Sequence, residues 1–287
     1  MQAEFYENIN EYIDLAFPFL LKNEAENILL FSILNTLKID QNTFGDLKPS
    51  LILVKKDDNI KLASLRTPPY NQLISFTEDL NSINVLVESL LKIEEDLPGI
   101  LGFKDGAERF IELYCKKKCL IPELIRNERA YKLIRVAEDT IGDKTFIIGD
   151  KTYQSLILKW AKEMILDAGL TTEADQMDRT LNQIKEDITK EKIFLLLDKS
   201  NPVSMARKAG KTPNGGLINL VFTPPHFRRR GYATECVAKL SQRLLNEEGN
   251  KFCFLFTDLA NPTSNSIYQK IGFRPVIDMD QYMFLKE

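Results

Sequence analysis

Histidine is nearly missing from this chain. His226 is the only one in 287 residues, and the four cysteines (Cys115, Cys119, Cys236 and Cys253) form no CxxC pair. Without a Cys/His cluster no zinc site is expected, nor any other metal centre. Unpaired thiols suit a reducing compartment, so a cytoplasmic location is expected. Positive charge is not in excess either: 38 Lys and Arg against 41 Asp and Glu leave a net charge of −3. A nucleic-acid binder carries a basic face or stripe. Only two short basic runs occur, Lys116–Lys118 and Arg228–Arg230, and the first reads as the solvated face of a helix. Long apolar runs are lacking as well. The windows Phe17–Leu21 and Ile28–Ile33 are separated by Lys22, Glu24 and Glu26, too short and too charged to span a bilayer. The start Met1-Gln2-Ala3-Glu4 lacks the basic-then-apolar pattern of a secretory leader. Neither a membrane nor a nucleic acid is therefore expected as partner. The phosphate loops GxxxxGK[ST] and GxGxxG are absent too, which excludes a Walker or a dinucleotide site.

What is present is a globular composition, 44% hydrophobic and 28% charged, with length enough for two domains. In the C-terminal half, Thr145–Ile148 reads as a strand. Ile157, Trp160, Met164 and Ala168 recur at helical spacing over Tyr153–Ala168, with Gly169 as a stop. Met177, Leu181, Ile184 and Ile188 mark a second amphipathic helix over Glu173–Lys190. The unbroken apolar run Ile193–Leu197 suits a strand covered on both faces. Val203–Lys208 and Gly216–Thr223 read as strands, Gly231–Glu248 as a helix, and Phe252–Phe256 as an apolar strand. Asn261–Ile271 reads as a short helix, and Phe273–Val276 and Tyr282–Leu285 as two closing antiparallel strands.

The N-terminal half repeats this order in weaker form. Ile9–Phe17 and Ala25–Leu37 read as helices, then Leu51–Lys55, Ile60–Arg66 and Gln72–Ser75 as strands. Helix Leu80–Leu91, strand Ile100–Phe103, helix Ala107–Lys117 and strand Tyr131–Val136 follow. The boundary is expected at Thr140–Asp143, giving domains 1–142 and 143–287.

Two segments carry chemistry. The first, Asn219 to Ala233, is a strand, a tight basic loop and a helix start. Main-chain N–H groups at a helix N-terminus have no intrahelical partner, and the helix dipole favours an anion there. Gly231 lets a diphosphate approach the main chain, small Ala233 leaves room beside it, and Arg228, Arg229 and Arg230 add positive charge. The second segment, Thr257 to Phe273, follows the next strand. Asn261 opens a short helix, Tyr268 stands seven residues later, and Gly272-Phe273 ends it.

With Arg228, Gly231 and Ala233 in the pattern R-x-x-G-x-A and Asn261, Tyr268, Gly272 and Phe273 in order, the pair resembles the GNAT superfamily of N-acetyltransferases. The motif-bearing likeness covers residues 216–276; Ser264 stands where the family often has Ala. The resemblance implies an α/β fold of two tandem GNAT-type domains, each a mixed, mostly antiparallel sheet flanked by helices. It implies acetyl-CoA as co-substrate and transfer of its acetyl group to a primary amine, a small molecule, by direct attack in a ternary complex. It implies a coenzyme site of Leu220, Val221, Phe222 and Thr223 on a strand splayed at a bulge near Leu220 and Val221. Arg228, Arg229, Arg230, Gly231, Tyr232, Ala233 and Thr234 of the loop and helix start belong to it, with Asn261, Ser264 and Asn265 of the second segment. Val221 and Thr223 would bind pantetheine as an added strand, and Tyr268 would protonate the departing thiolate, being protonated at neutral pH.

Many relatives carry a carboxylate on the strand before the loop. Here its only polar side chain is Asn219, which is no base at neutral pH. Two routes for the amine proton stay open, ordered water or a carboxylate from another segment such as Asp258. This gap leaves a non-catalytic acetyl-CoA-binding sensor or interaction module as one alternative. An acyltransferase for longer acyl chains or for protein N-termini is another. His226 is expected in solvent and Cys253 as inert packing, and Cys236 has no activating partner. In the N-terminal half the corresponding loop, Phe76-Thr77-Glu78-Asp79-Leu80, is acidic and would repel a diphosphate. That half resembles a degenerate GNAT-like domain whose implied role is to wall off the acceptor pocket. Neither the acceptor nor the oligomeric state is readable.

Overall fold

In the computed structural model, which describes residues 1–93, 96–168 and 174–286, the chain runs through β1 (Gln2–Tyr6), α1 (Ile9–Leu21), α2 (Ile28–Ile39), β2 (Ser50–Lys56), β3 (Asn59–Arg66), β4 (Gln72–Ile74), α3 (Asn81–Leu90), β5 (Gly99–Phe103), α4 (Lys104–Lys118) and β6 (Leu120–Leu133). It continues through β7 (Thr145–Ile148), α5 (Gln154–Asp167), α6 (Ala174–Thr189), β8 (Ile193–Asp198), β9 (Asn201–Lys211), β10 (Gly215–Phe222), α7 (Tyr232–Asn246), β11 (Phe252–Asp258), α8 (Pro262–Ile271) and β12 (Arg274–Lys286). The expected stop at Gly169 and start at Glu173 lie outside the described residues. Among the described residues no helix is long and apolar enough to cross a membrane.

The elements form two units. One consists of Met1–Ala130, Thr257–Ala260 and Pro275–Glu287, the other of Tyr131–Phe256 and Asn261–Arg274. The first unit orders its strands β1-β2-β3-β4-β5, followed by β12 and the N-terminal part of β6; the second orders them β7-β8-β9-β10-β11. In each run the pairs are antiparallel except the last, β4 with β5 and β10 with β11, which are parallel. The element order of β1 to α4 is thus repeated in β7 to α8.

Both faces of the second unit's sheet are covered, and β8 shows why its sequence is apolar throughout. Ile193, Leu195 and Leu197 point into one core with Ile157, Trp160 and Ala161 of α5 and Ile184 and Ile188 of α6. Phe194 and Leu196 point into the other with Val237, Leu240 and Leu244 of α7. Successive side chains of a strand alternate between faces, so a sheet with helices on both needs apolar residues at every step. In the first unit, Ile9, Tyr12, Ala16 and Leu20 of α1 recur three or four apart and bury against Leu51, Leu53, Ala63 and Leu65. Asn8 starts that helix by accepting a hydrogen bond from Asn10 N at 2.9 Å.

Two expectations need correction. β6 begins at Leu120 rather than Tyr131. The segments Phe273–Val276 and Tyr282–Leu285 are not two closing strands of the C-terminal half. They belong to the single strand β12, preceded by Phe273, which pairs with β5 from Met279–Phe103 to Met283–Gly99. One cause explains both: charged residues that read as loop are paired across strands. Arg129 grips Asp278 through two hydrogen bonds of 2.6 and 2.9 Å, and Asn127 donates to the buried Asp280. Residues Tyr131–Phe256 belong to the second compact unit. Tyr131, Leu133 and Val136 are buried among residues of the second unit, and Ala137 N donates to Ile271 O at 2.8 Å.

Candidate active site

β10 and β11 pair at Gly215–Phe252, Gly216–Cys253 and Leu217–Phe254, and no further pair follows among the described residues. The cause lies on the other edge of β10. Asn219 stands opposite Arg207 and Phe222 opposite Met205, so three steps on β10 match two on β9. The extra residue is a bulge, which bends its strand. Leu220 takes the left-handed conformation there, with φ of 49°. Leu220 and Phe222 stay in the α5/α6 core while Val221 turns to the α7 core. Past Leu217, the main chain of β10 therefore has an edge that β11 does not occupy. An extended ligand can add to such an edge as a strand would.

The loop after β10 is built from prolines and positive φ angles. Phe227 N donates to Pro224 O at 2.9 Å and Arg228 N to Pro225 O at 3.2 Å, forming a tight turn. Arg229 and Gly231 follow with φ of 63° and 81°. Gly231 is the N-cap of α7 and offers no side-chain cap; the first helical bond is Glu235 N to Gly231 O at 3.0 Å. The amides of Tyr232, Ala233 and Thr234 therefore have no intrahelical acceptor. A Cβ built on Gly231 would meet nothing within 4 Å, so the space before these amides is open. Unpaired amides and the helix dipole both favour an anion at such a helix start.

The three arginines differ in role. Arg229 and Arg230 are exposed beside the helix start. Arg228 instead braces the loop: its Nε donates to Thr223 O at 3.0 Å, its Nη2 to Asp167 of α5 at 2.8 Å, and it lies 5.8 Å from the Phe222 ring. Thr223 is further held through its hydroxyl, which donates to Ser204 Oγ at 2.9 Å. Tyr232 turns its ring into the α7 core and donates to Asp198 at 2.5 Å, leaving its amide for the site.

α8 packs on α7. Asn261 caps it by accepting from Ser264 N at 3.0 Å, and Asn265 Nδ2 donates to Asn261 O at 2.8 Å. Tyr268 is buried in the same core as Val221 and Ile218 of β10. Its hydroxyl has no hydrogen-bond partner among the described residues, and it is not among the fully buried polar atoms. Desolvation pushes its pKa up to about 12. The hydroxyl therefore stays protonated throughout the neutral range.

Other side chains point elsewhere. Asn219 Oδ1 accepts from Arg207 Nε at 2.8 Å, and Arg207 Nη1 donates to the buried Asp187 at 2.9 Å, with Lys192 3.2 Å from the same carboxylate. Burial lowers the pKa of Arg207, an effect Asp187 opposes. Asp258 is exposed, caps Ala260 N at 2.7 Å and belongs to the first unit. His226 is exposed and packs on the Phe227 ring at 4.1 Å. Cys236 and Cys253 are buried, which pushes both thiols up to about 12. Two depressions of about 520 and 240 Å³, lined around Arg135–Ile141, share no residue with β10 or the start of α7; the second is bordered by Gln242, Leu245 and Asn246 at the other end of α7.

Sequence reading passed over Tyr131. Its side chain is buried, and its hydroxyl donates to Asn265 Oδ1 at 2.9 Å and accepts from Gln269 Nε2 at 3.2 Å. The available signal was that it is the lone aromatic residue of the charged strand β6. In the first unit the space after β4 is filled. A Cβ on Gly102 would lie 2.3 Å from Ile74 Cγ1, and the rings of Phe76 and Phe103 meet at 5.4 Å.

Residues 196–284 match the family model described as FR47-like protein. No curated protein matches the chain in sequence. Among solved structures, an acetyltransferase of the GNAT family from Colwellia psychrerythraea is similar over 99% of this chain and 100% of its own, with a TM-score of 0.59 at 10% identity. A tandem GNAT protein from the clavulanic acid biosynthesis pathway is similar over 98% of both chains, with a TM-score of 0.56 at 10% identity. A Drosophila protein is similar over 99% of this chain and 98% of its own, with a TM-score of 0.64 at 13% identity.

Proposed function

The chain has the fold of the GNAT acetyltransferases, in tandem form, and from that premise we propose that its second unit transfers acetyl from acetyl-CoA to a primary amine. The observation that carries this reading is the parting of β10 from β11 beside the uncapped start of α7. The residues fit the co-substrate. The diphosphate takes the amides of Tyr232, Ala233 and Thr234, with Arg229 and Arg230 as counter-charges. Each hydrogen bond to a charged oxygen contributes about 1.5–3 kcal/mol. Pantetheine lies along the free edge of β10 at Val221, and the thioester at the bulge.

Transfer is then one displacement in a ternary complex. The amine nitrogen forms a bond to the acetyl carbon as the carbon–sulfur bond breaks. Tyr268 gives its proton to the departing sulfur and regains one from solvent. The amine's own proton leaves through ordered water or a carboxylate outside β10, because Asn219, held by Arg207, accepts none. Supporting the role of Tyr268 is its hydroxyl, which has no hydrogen-bond partner among the described residues.

Calorimetry with CoA tests the binding, and failure to bind ends the proposal. Tyr268→Phe tests the chemistry: turnover is expected to fall about 10²-fold or more with CoA affinity nearly unchanged. In the native protein no loss of rate from Tyr268 ionisation is expected below about pH 11, since its pKa lies near 12. A normal rate in the variant removes Tyr268 from the mechanism.

One observation favours a second reading, a non-catalytic acetyl-CoA sensor: β10 carries no carboxylate, and its Asn219 is bound to Arg207. Thiol release from acetyl-CoA in the presence of amino acids, polyamines and a peptide N-terminus separates the two. Competition among acyl-CoA lengths tests whether a longer acyl chain is preferred.

A further inference from the structure

The Tyr268 hydroxyl has no hydrogen-bond partner among the described residues to fix it. Its direction depends on the placement of α8, and α8 is held by a side chain from β6. Tyr131 reaches α8 between residues one turn apart, donating to Asn265 Oδ1 at 2.9 Å and accepting from Gln269 Nε2 at 3.2 Å. Residues four apart share a helix face, so these two bonds fix both the rotation of α8 and its position along its axis. Tyr268 precedes Gln269 directly, and its ring lies 6.5 Å from that of Tyr131. The Asn265 bond continues to the main chain of Asn261, which opens the helix. We propose that Tyr131 is a positioning residue: it sets α8 so that the Tyr268 hydroxyl meets the departing sulfur.

This rests on the proposed acetyl transfer and adds a dependence that the transfer itself does not require. Both hydrogen-bonding capacities of the Tyr131 hydroxyl are used on α8. Removing that hydroxyl leaves the buried ring packed while freeing the helix to turn. The loss falls on proton delivery, because the diphosphate grip belongs to α7.

The test is a double-mutant cycle on turnover of acetyl-CoA by the intact chain, followed by free-thiol release. The acceptor is the most active amine of the panel above, or water where none is active. Tyr131→Phe is expected to lower kcat about tenfold, with KM for acetyl-CoA changed less than about threefold. In a Tyr268→Phe background the same substitution is expected to change kcat by less than about twofold, because the group being aimed is gone. The melting temperature is expected to fall by the same amount in both backgrounds. A purely structural role predicts the opposite, an equal kcat loss with and without the Tyr268 hydroxyl, and that result overturns the inference. So does an unchanged kcat in Tyr131→Phe. If that variant does not fold, Gln269→Leu removes one of the two bonds from the exposed side of α8. It is expected to lower kcat about threefold only when Tyr268 is present, and any other outcome overturns the inference. Failure of Tyr268→Phe to slow turnover, or of the native chain to bind CoA, marks instead the failure of the underlying reading.

Discussion

Alanine at Gly231 separates the backbone geometry of the anion site from its effect on stability. Gly231 has φ of 81°, and a Cβ there meets nothing within 4 Å. The substitution therefore creates no clash, only the strain of an L-residue in the left-handed region, about 1–2 kcal/mol. Gly249 is the matched control. It follows the other end of α7, has φ of 70°, and likewise has nothing within 4 Å of an added Cβ. Both Gly231→Ala and Gly249→Ala are thus expected to lower the melting temperature by about 2–8 °C, at about 2–4 °C per kcal/mol. Their ligand binding is expected to differ. Relief of strain at Gly231 re-aims the amides that open α7, losing at least one charge-assisted hydrogen bond of about 1.5–3 kcal/mol. Calorimetry with CoA should then show binding about 10- to 150-fold weaker in Gly231→Ala and unchanged in Gly249→Ala. Equal affinities in the two variants, measured below both melting temperatures, would refute the assignment of the diphosphate to the start of α7.

Two further expectations concern groups away from the site. Cys119 is exposed, while Cys115, Cys236 and Cys253 are buried, with burial pushing their thiols up to about 11, 12 and 12. Alkylation at pH 8 should add one label to the native protein and four after unfolding; two or more native labels would contradict the packing. Glu4 accepts from Lys55 at 2.6 Å and from Tyr6 at 2.7 Å, which lowers its pKa to about 2 from the usual 4.5. A depressed carboxylate stabilises the fold fully above pH 4.5 and loses that contribution as pH falls toward 2. Its side chain is a third exposed, so Glu4→Gln is expected to cost at most about 1 kcal/mol at pH 7. The difference from the native protein should shrink below pH 4.5 in denaturant titrations; one that grows on acidification would reverse the sign of the argument.

The elements around the groove were legible because their signals are local. β8, α7, β11 and α8 announce themselves by apolar runs, helical spacing and terminal glycines within a few residues of one another. Strand partners are not local. β6 and β12 each read as loop in part because Arg129, Asp278 and Asp280 are charged, and nothing nearby in sequence shows that these charges meet. The same limit hid the task of Arg228. Asp167, which accepts from its guanidinium, stands sixty-one residues earlier. Tyr131 lies still further from its partners, 134 residues from Asn265.

The last strand of the chain, β12, lies beside β5 in the unit that the chain begins. Protein domains usually fold in turn as they leave the ribosome, the earlier before the later. Here β5, already beside β4, gains its second neighbour only once residues 279–283 have been made. A truncation just before residue 275 would spare β10, α7 and α8 and strip β5 of its antiparallel partner, so the damage would fall in the first unit.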